Sequence, residues 1–86
     1  MTIMERVTDL TVREIARAAE TVLGRSLQVT AASDISRDLA VDSLALMNIV
    51  MELEERFDIS IPLDRLSEVQ TVGDLSSVID NIRKKA

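Results

Sequence analysis

The sequence predicts an all-α protein: a small four-helix bundle of three longer helices and one short helix, with a long loop between helices 1 and 2. Three observations carry that expectation. Apolar residues recur at steps of three and four along three separate stretches, the period of a helix face. Apolar content is 47%, with one Phe, no Trp or Tyr and two Gly, a balance that favours helix over sheet. Residues suited to helix starts stand at the head of each stretch. The 86 residues are expected to form a single domain over 1–86, with 1–10 and 83–86 as fraying ends.

The first helix is expected from Thr11 to Leu23. Thr11 and Glu14 stand at capping-box spacing, and Val12, Ile15, Ala16, Ala19, Val22 and Leu23 line one face. Gly24 follows where a left-handed cap belongs. Thr2 and Glu5 repeat the capping spacing, so residues 2–10 extend the helix, form a turn or fray. Arg25 to Asp42 is a polar connection of turn-forming residues with apolar anchors at Leu27, Val29, Ile35, Leu39 and Val41. A connection this long inside a compact domain points to function.

Ser43 to Phe57 is the second helix, with Ser43 as its expected N-cap and Asp42 adding negative charge at the positive helix end. Leu46, Ile49, Val50, Leu53 and Phe57 form one stripe, the expected core face. Leu44, Met47 and Met51 lie on a separate flank roughly 100–160° away from Leu46. Pro62 closes this stretch. Asp64 to Val69 is the short third helix. Thr71 caps the last, Val72 to about Ile82, with Asp74 in its first turn and Arg83, Lys84 and Lys85 at its end.

Charge and residue inventory exclude much. There are 15 acids against 10 bases and no His or Cys. Zinc sites, thiol nucleophiles, histidine-based triads and disulfide scaffolds are therefore absent. The net charge of −5 argues against nucleic acid, which needs a basic face. No apolar run is long enough for a membrane span and the first residues lack signal-peptide order. A cytoplasmic location and a monomer are expected, although the Leu44/Met47/Met51 flank could support weak self-association. Glu54 and Glu55 are adjacent helix positions that do not face each other, so paired acid–base chemistry is not expected of them. An enzyme is improbable, because the serines and threonines have no histidine base to activate them.

One stretch stands apart: Asp38-Leu39-Ala40-Val41-Asp42-Ser43-Leu44, where a serine opens a helix at the end of the long loop. It resembles the D-L-G-x-D-S-L signature of the acyl carrier protein family. Leu53-Glu54-Glu55-Arg56-Phe57 through Ile61-Pro62 is similar to the L-E-E-x-F-x-x-x-I-P stretch of the same family, and Thr71-Val72-Gly73-Asp74-Leu75 to its T-V-x-x-L. The resemblance covers residues 10–82.

It implies a four-helix bundle carrying 4′-phosphopantetheine on Ser43 through a phosphodiester, with acyl cargo held as a thioester. A helix N-terminus suits the phosphate, and an exposed junction lets a phosphopantetheinyl transferase reach the hydroxyl. The resemblance implies that Asp42 helps that transferase engage the serine. A plain N-cap role for Ser43, and simple charge complementation for Asp42, are the structural alternatives. The second helix is the implied docking surface, with Leu44, Met47 and Met51 as its apolar patch and Glu54 and Glu55 among its acids. Covering the short third helix is the alternative role for Met47 and Met51. From Asp42 to Asp80 nine acids face only Arg56 and Arg65, a field that would steer basic partners. The implied partners are the transferase, an acyl- or aminoacyl-loading ligase, and downstream transferases or synthases with basic docking patches.

Two departures matter. Ala40 stands where the signature has glycine, which strains the chain if the position needs φ > 0. Ala45 and Asn48 are neutral where many fatty-acid carriers are acidic, implying a more specialised carrier. The leading expectation is a stand-alone acyl carrier of fatty-acid, lipid or polyketide-type biosynthesis, without catalysis of its own. The alternative is an aminoacyl or peptidyl carrier charged by a dedicated ligase; peptidyl carriers usually read G-G-x-S-L here, so D-S-L favours acyl cargo. An unmodified interaction module is the reading from another class.

Overall fold

The structure, a computed structural model, describes residues 7–85. Four helices follow one another: α1 (Val7–Leu23), α2 (Ser43–Phe57), α3 (Leu63–Leu66) and α4 (Val72–Lys85). The core is aliphatic and drawn from every part of the chain. Ile15, Ala18 and Ala19 of α1 meet Ile49, Val50 and Leu53 of α2 and Val72, Leu75 and Ile79 of α4. Leu46 and Phe57, the remaining members of the α2 stripe, pack against this core half-buried. The all-α bundle expected from periodicity is the observed fold.

Boundaries differ where local signals compete with longer-range bonds. The described part of α1 runs from Val7, so Thr11 lies inside the helix and opens nothing. Its side chain is buried, and its hydroxyl donates to Asp80 Oδ1 of α4 at 2.6 Å. Glu14 serves no capping box here; its carboxylate pairs with Arg17 at 3.5 Å and with Arg56 of α2 at 3.2 Å. The Thr2–Glu5 spacing lies outside the described residues. Gly24 is the left-handed cap expected, at φ 72°, its N–H donating to Glu20 O. α3 is shorter than expected and starts one residue earlier, directly after Pro62. α4 runs on to Lys85, past the last apolar residue of its periodic set.

The long loop is ordered by its own bonds. Ile35, Leu39 and Val41 are buried, while Leu27 and Val29 are half-buried against the core. Asp34 organises the middle: its Oδ1 accepts from Arg37 N at 2.8 Å, and its own N–H donates to Asp38 Oδ2 at 2.8 Å. The Arg37 N–H above all, with Gln70 and the Arg37 side chain, holds the Asp34 carboxyl below the usual carboxylate range, against the opposing effect of burial. The loop then docks on the start of α4. Ile35 N donates to Gln70 O at 3.0 Å, Val72 N to Ser33 O at 2.9 Å and Gly73 N to Ala31 O at 2.8 Å.

Candidate functional site: the loop-to-helix junction at Ser43

The loop reaches α2 through an alternation of buried and exposed residues. Leu39 and Val41 point into the core while Ala40, Asp42, Ser43 and Leu44 stand exposed. Ala40 has φ 55°, the left-handed region that residues with a Cβ avoid. The position where the D-L-G-x-D-S-L signature has glycine therefore does need φ > 0, and alanine occupies it with strain. Val41 and Leu46, both on the core, hold the spacing of a hydrophobic staple around the cap.

The N-cap of α2 is Asp42, not Ser43. Asp42 is extended (φ −88°, ψ −178°) and its Oδ1 accepts from Ala45 N at 2.8 Å. Both residue types cap well; the backbone decides, because the extended residue is the one before the helix. Ser43 becomes the first helical residue. Its hydroxyl is exposed and has no hydrogen-bond partner among the described residues. Capping and the free hydroxyl thus fall to two different side chains.

α2 then presents the surface expected of it in an uneven way. Leu44 is 72% and Met51 61% exposed, whereas Met47 is half-buried and packs on the core. Glu54 is half-buried, and its Oε2 accepts from Ile61 N at 2.7 Å, tying down the turn after α2. Glu55 is exposed and lines a shallow depression of about 250 Å³ with Asn48, Met51 and Glu52. Asn48 is exposed and Ala45 half-buried, so acids on this helix begin at Glu52.

Two features of the loop carried no functional reading in the sequence: the hold of Arg25 on it, and the bond from Asp34 N to Asp38 Oδ2 within it. Arg25 Nη2 donates to Leu39 O at 3.0 Å. The repeated aspartate at a four-residue step was the available signal for the second; nothing local marks Arg25. No cluster of three or more potential metal ligands occurs among the described residues. Among them, too, no helix is long and apolar enough to cross a membrane.

The fold is thus an all-α bundle in which an unengaged serine hydroxyl stands at the head of a helix, and comparison with known proteins gives its family. A family described as phosphopantetheine attachment site matches residues 11–79. A relative from Caulobacter vibrioides named "Probable acyl carrier protein" is 65% identical over 83 residues, covering 96% of each chain. An acyl carrier protein of a Sulfurovum species is 46% identical over 50 residues, covering 58% of this chain and 67% of its own. In shape, the chain is similar to a protein from Mycobacterium tuberculosis described as "a putative acyl carrier protein", with TM-score 0.76 and 30% identity over 83% of this chain and 96% of the other.

The chain belongs to the phosphopantetheine-binding acyl carrier protein family. The group of that family is 4′-phosphopantetheine, and the junction suits it. The Ser43 and Leu44 N–H groups at the start of α2 have no acceptor among the described residues, and the positive helix end favours a phosphodiester anion.

Proposed function

We propose that the chain is an acyl carrier protein whose 4′-phosphopantetheine is joined to Ser43 Oγ, and that it delivers acyl groups to enzymes of fatty-acid, lipid or polyketide-type biosynthesis. The observation that carries this reading is the division of work at the junction: Asp42 caps α2, so Ser43 can be modified without dismantling the helix start. The group supplies the thiol that this cysteine-free chain lacks, on an arm long enough to move bound cargo between docked enzymes. The chain's own part is to present the Ser43 hydroxyl, to place N–H groups beside the phosphate, and to dock. Without His or Cys it has no activated nucleophile, and the reading assigns it no catalysis of its own.

Asp42, one residue before the hydroxyl and exposed, is the contact proposed for the phosphopantetheinyl transferase. Leu44 and Met51 form the apolar part of the docking face, with Met47 at its inner edge; methionine suits a surface that repacks against different partners. Glu55 and the charge of Glu54 supply the acidic part, which fits loading ligases and synthases with basic patches. The experiment is intact-mass measurement after incubation with coenzyme A, magnesium and a broad-specificity transferase. One added phosphopantetheine unit on the wild type and none on Ser43→Ala is expected. A wild type that stays unmodified while a control carrier is converted would make this an interaction module instead.

A further inference from the structure

We infer that Arg25 is a positioning residue for modification at Ser43, an inference that rests on the reading of Ser43 as the modified residue. At Ala40 φ is 55°, a value disfavoured for any residue with a Cβ, so something around it must hold the turn in place. The peptide entering Ala40 is the Leu39 carbonyl, and that oxygen accepts from Arg25 Nη2 at 3.0 Å. A guanidinium donor makes this a charge-assisted bond, stronger than a neutral one. On the far side of Ala40 the corresponding hold is weak: Val41 N reaches Ile35 O at 3.3 Å.

Arg25 is well placed to act as a fixed post. It directly follows Gly24, the left-handed cap that ends α1. Among the described residues its guanidinium has no carboxylate partner. The bond to Leu39 therefore links the rigid end of α1 to a turn that lies far along the chain. If Ala40 relaxed to negative φ, the chain beyond it would swing. Val41 would leave its buried seat, and Asp42 would lose its position under Ala45 N. Ser43 would then no longer stand exposed at the head of an intact helix. Arg25 acts by keeping the presenting conformation populated, not by touching the reacting atoms.

That role predicts a particular kinetic signature. A transferase that recognises only the presented form sees an apparent affinity reduced by the fraction of chains in that form. Arg25→Met keeps the aliphatic stem and removes the donor. It should raise the transferase KM for the apo-protein about threefold or more while kcat stays within about twofold of wild type. Arg25→Lys, which retains a cationic donor, should fall between. Ala40→Gly removes the strain at its source, because glycine adopts φ 55° freely. The double variant Arg25→Met/Ala40→Gly should recover the wild-type KM, and amide exchange at Val41 should quicken in Arg25→Met and return to wild-type protection in the double variant.

Assays are run on the full chain at a temperature where circular dichroism shows every variant folded. A purely structural role for Arg25 would lower the melting temperature and leave KM alone. An Arg25→Met chain modified with wild-type KM, or a double variant no better than Arg25→Met, overturns this inference alone. A wild type that gains no phosphopantetheine overturns the Ser43 reading and this inference with it.

Discussion

Asp42 and Ser43 are neighbours with similar capping chemistry, and only the torsion angles tell them apart. Sequence alone places the cap on Ser43, since a serine before an apolar-periodic run is a strong start signal. The structure moves it one residue back, because Asp42 is the extended residue and its carboxylate reaches Ala45 N. The consequence is measurable in unfolding. Asp42→Ala removes the capping acceptor and should cost about 1 kcal/mol. Ser43→Ala removes a hydroxyl that bonds nothing among the described residues and should cost less than about 0.5 kcal/mol. Urea midpoints of the two variants decide it; a Ser43→Ala loss as large as that of Asp42→Ala would return the cap to Ser43. The strain at Ala40 was legible only through the family signature, which marks that position as a glycine. Arg25 was not legible at all, since a bond from one surface arginine to a distant carbonyl leaves no trace in spacing or composition.

Between elements, the decisive contact is the docking of the long loop on the start of α4. The sequence marks Thr71 as the cap there, and the structure adds Asp74 as its partner: Asp74 N donates to Thr71 Oγ1 at 3.1 Å, and Asp74 Oδ2 accepts from Thr71 N and Gln70 N at 3.0 Å. It does not show that Ala31, Ser33 and Ile35 will bond the same corner, because periodicity and capping are local signals and this pairing is not. Gly73 records the contact. A Cβ built there would lie 2.9 Å from Ala31 O, a backbone atom that moves only if the loop moves. Two effects oppose each other in Gly73→Ala. Helix propensity favours alanine by up to about 1 kcal/mol, and the clash costs about 1–3 kcal/mol. The hydrogen bond from Gly73 N to that same oxygen keeps the loop from simply retreating, so the clash wins. We expect a net loss of about 1–2 kcal/mol with amide shifts centred on residues 30–35. A more stable variant would mean that the loop yields without cost.

Across the whole molecule, helix class and core came through the sequence because both follow from the spacing of apolar residues. The stripe Leu46, Ile49, Val50, Leu53 and Phe57 needs no tertiary information to be read. Charge behaves differently, since its effect depends on which carboxylates the fold engages. Two are held below the usual range: Asp34 chiefly by the Arg37 N–H, and Asp74 by the Thr71 and Gln70 N–H groups. Both sit where the loop meets α4, so their ionisation and that contact are linked. A carboxylate depressed in the folded state stabilises the fold fully above its unfolded value, near pH 4, and loses that contribution as pH falls through the lower folded value. From Asp42 to Asp80 acids outnumber bases nine to two, and their mutual repulsion at neutral pH eases in acid. The raw stability curve mixes the two trends, but the difference between wild type and Asp34→Asn isolates the first. That gap should stay constant from pH 7 to about pH 5 and narrow below about pH 4, as protonation removes in the wild type what the substitution has already removed. Urea unfolding of both proteins across that range provides the measurement. A gap that persists unchanged well below pH 4 would mean that the Asp34 charge contributes nothing, and that shape alone joins the loop to α4.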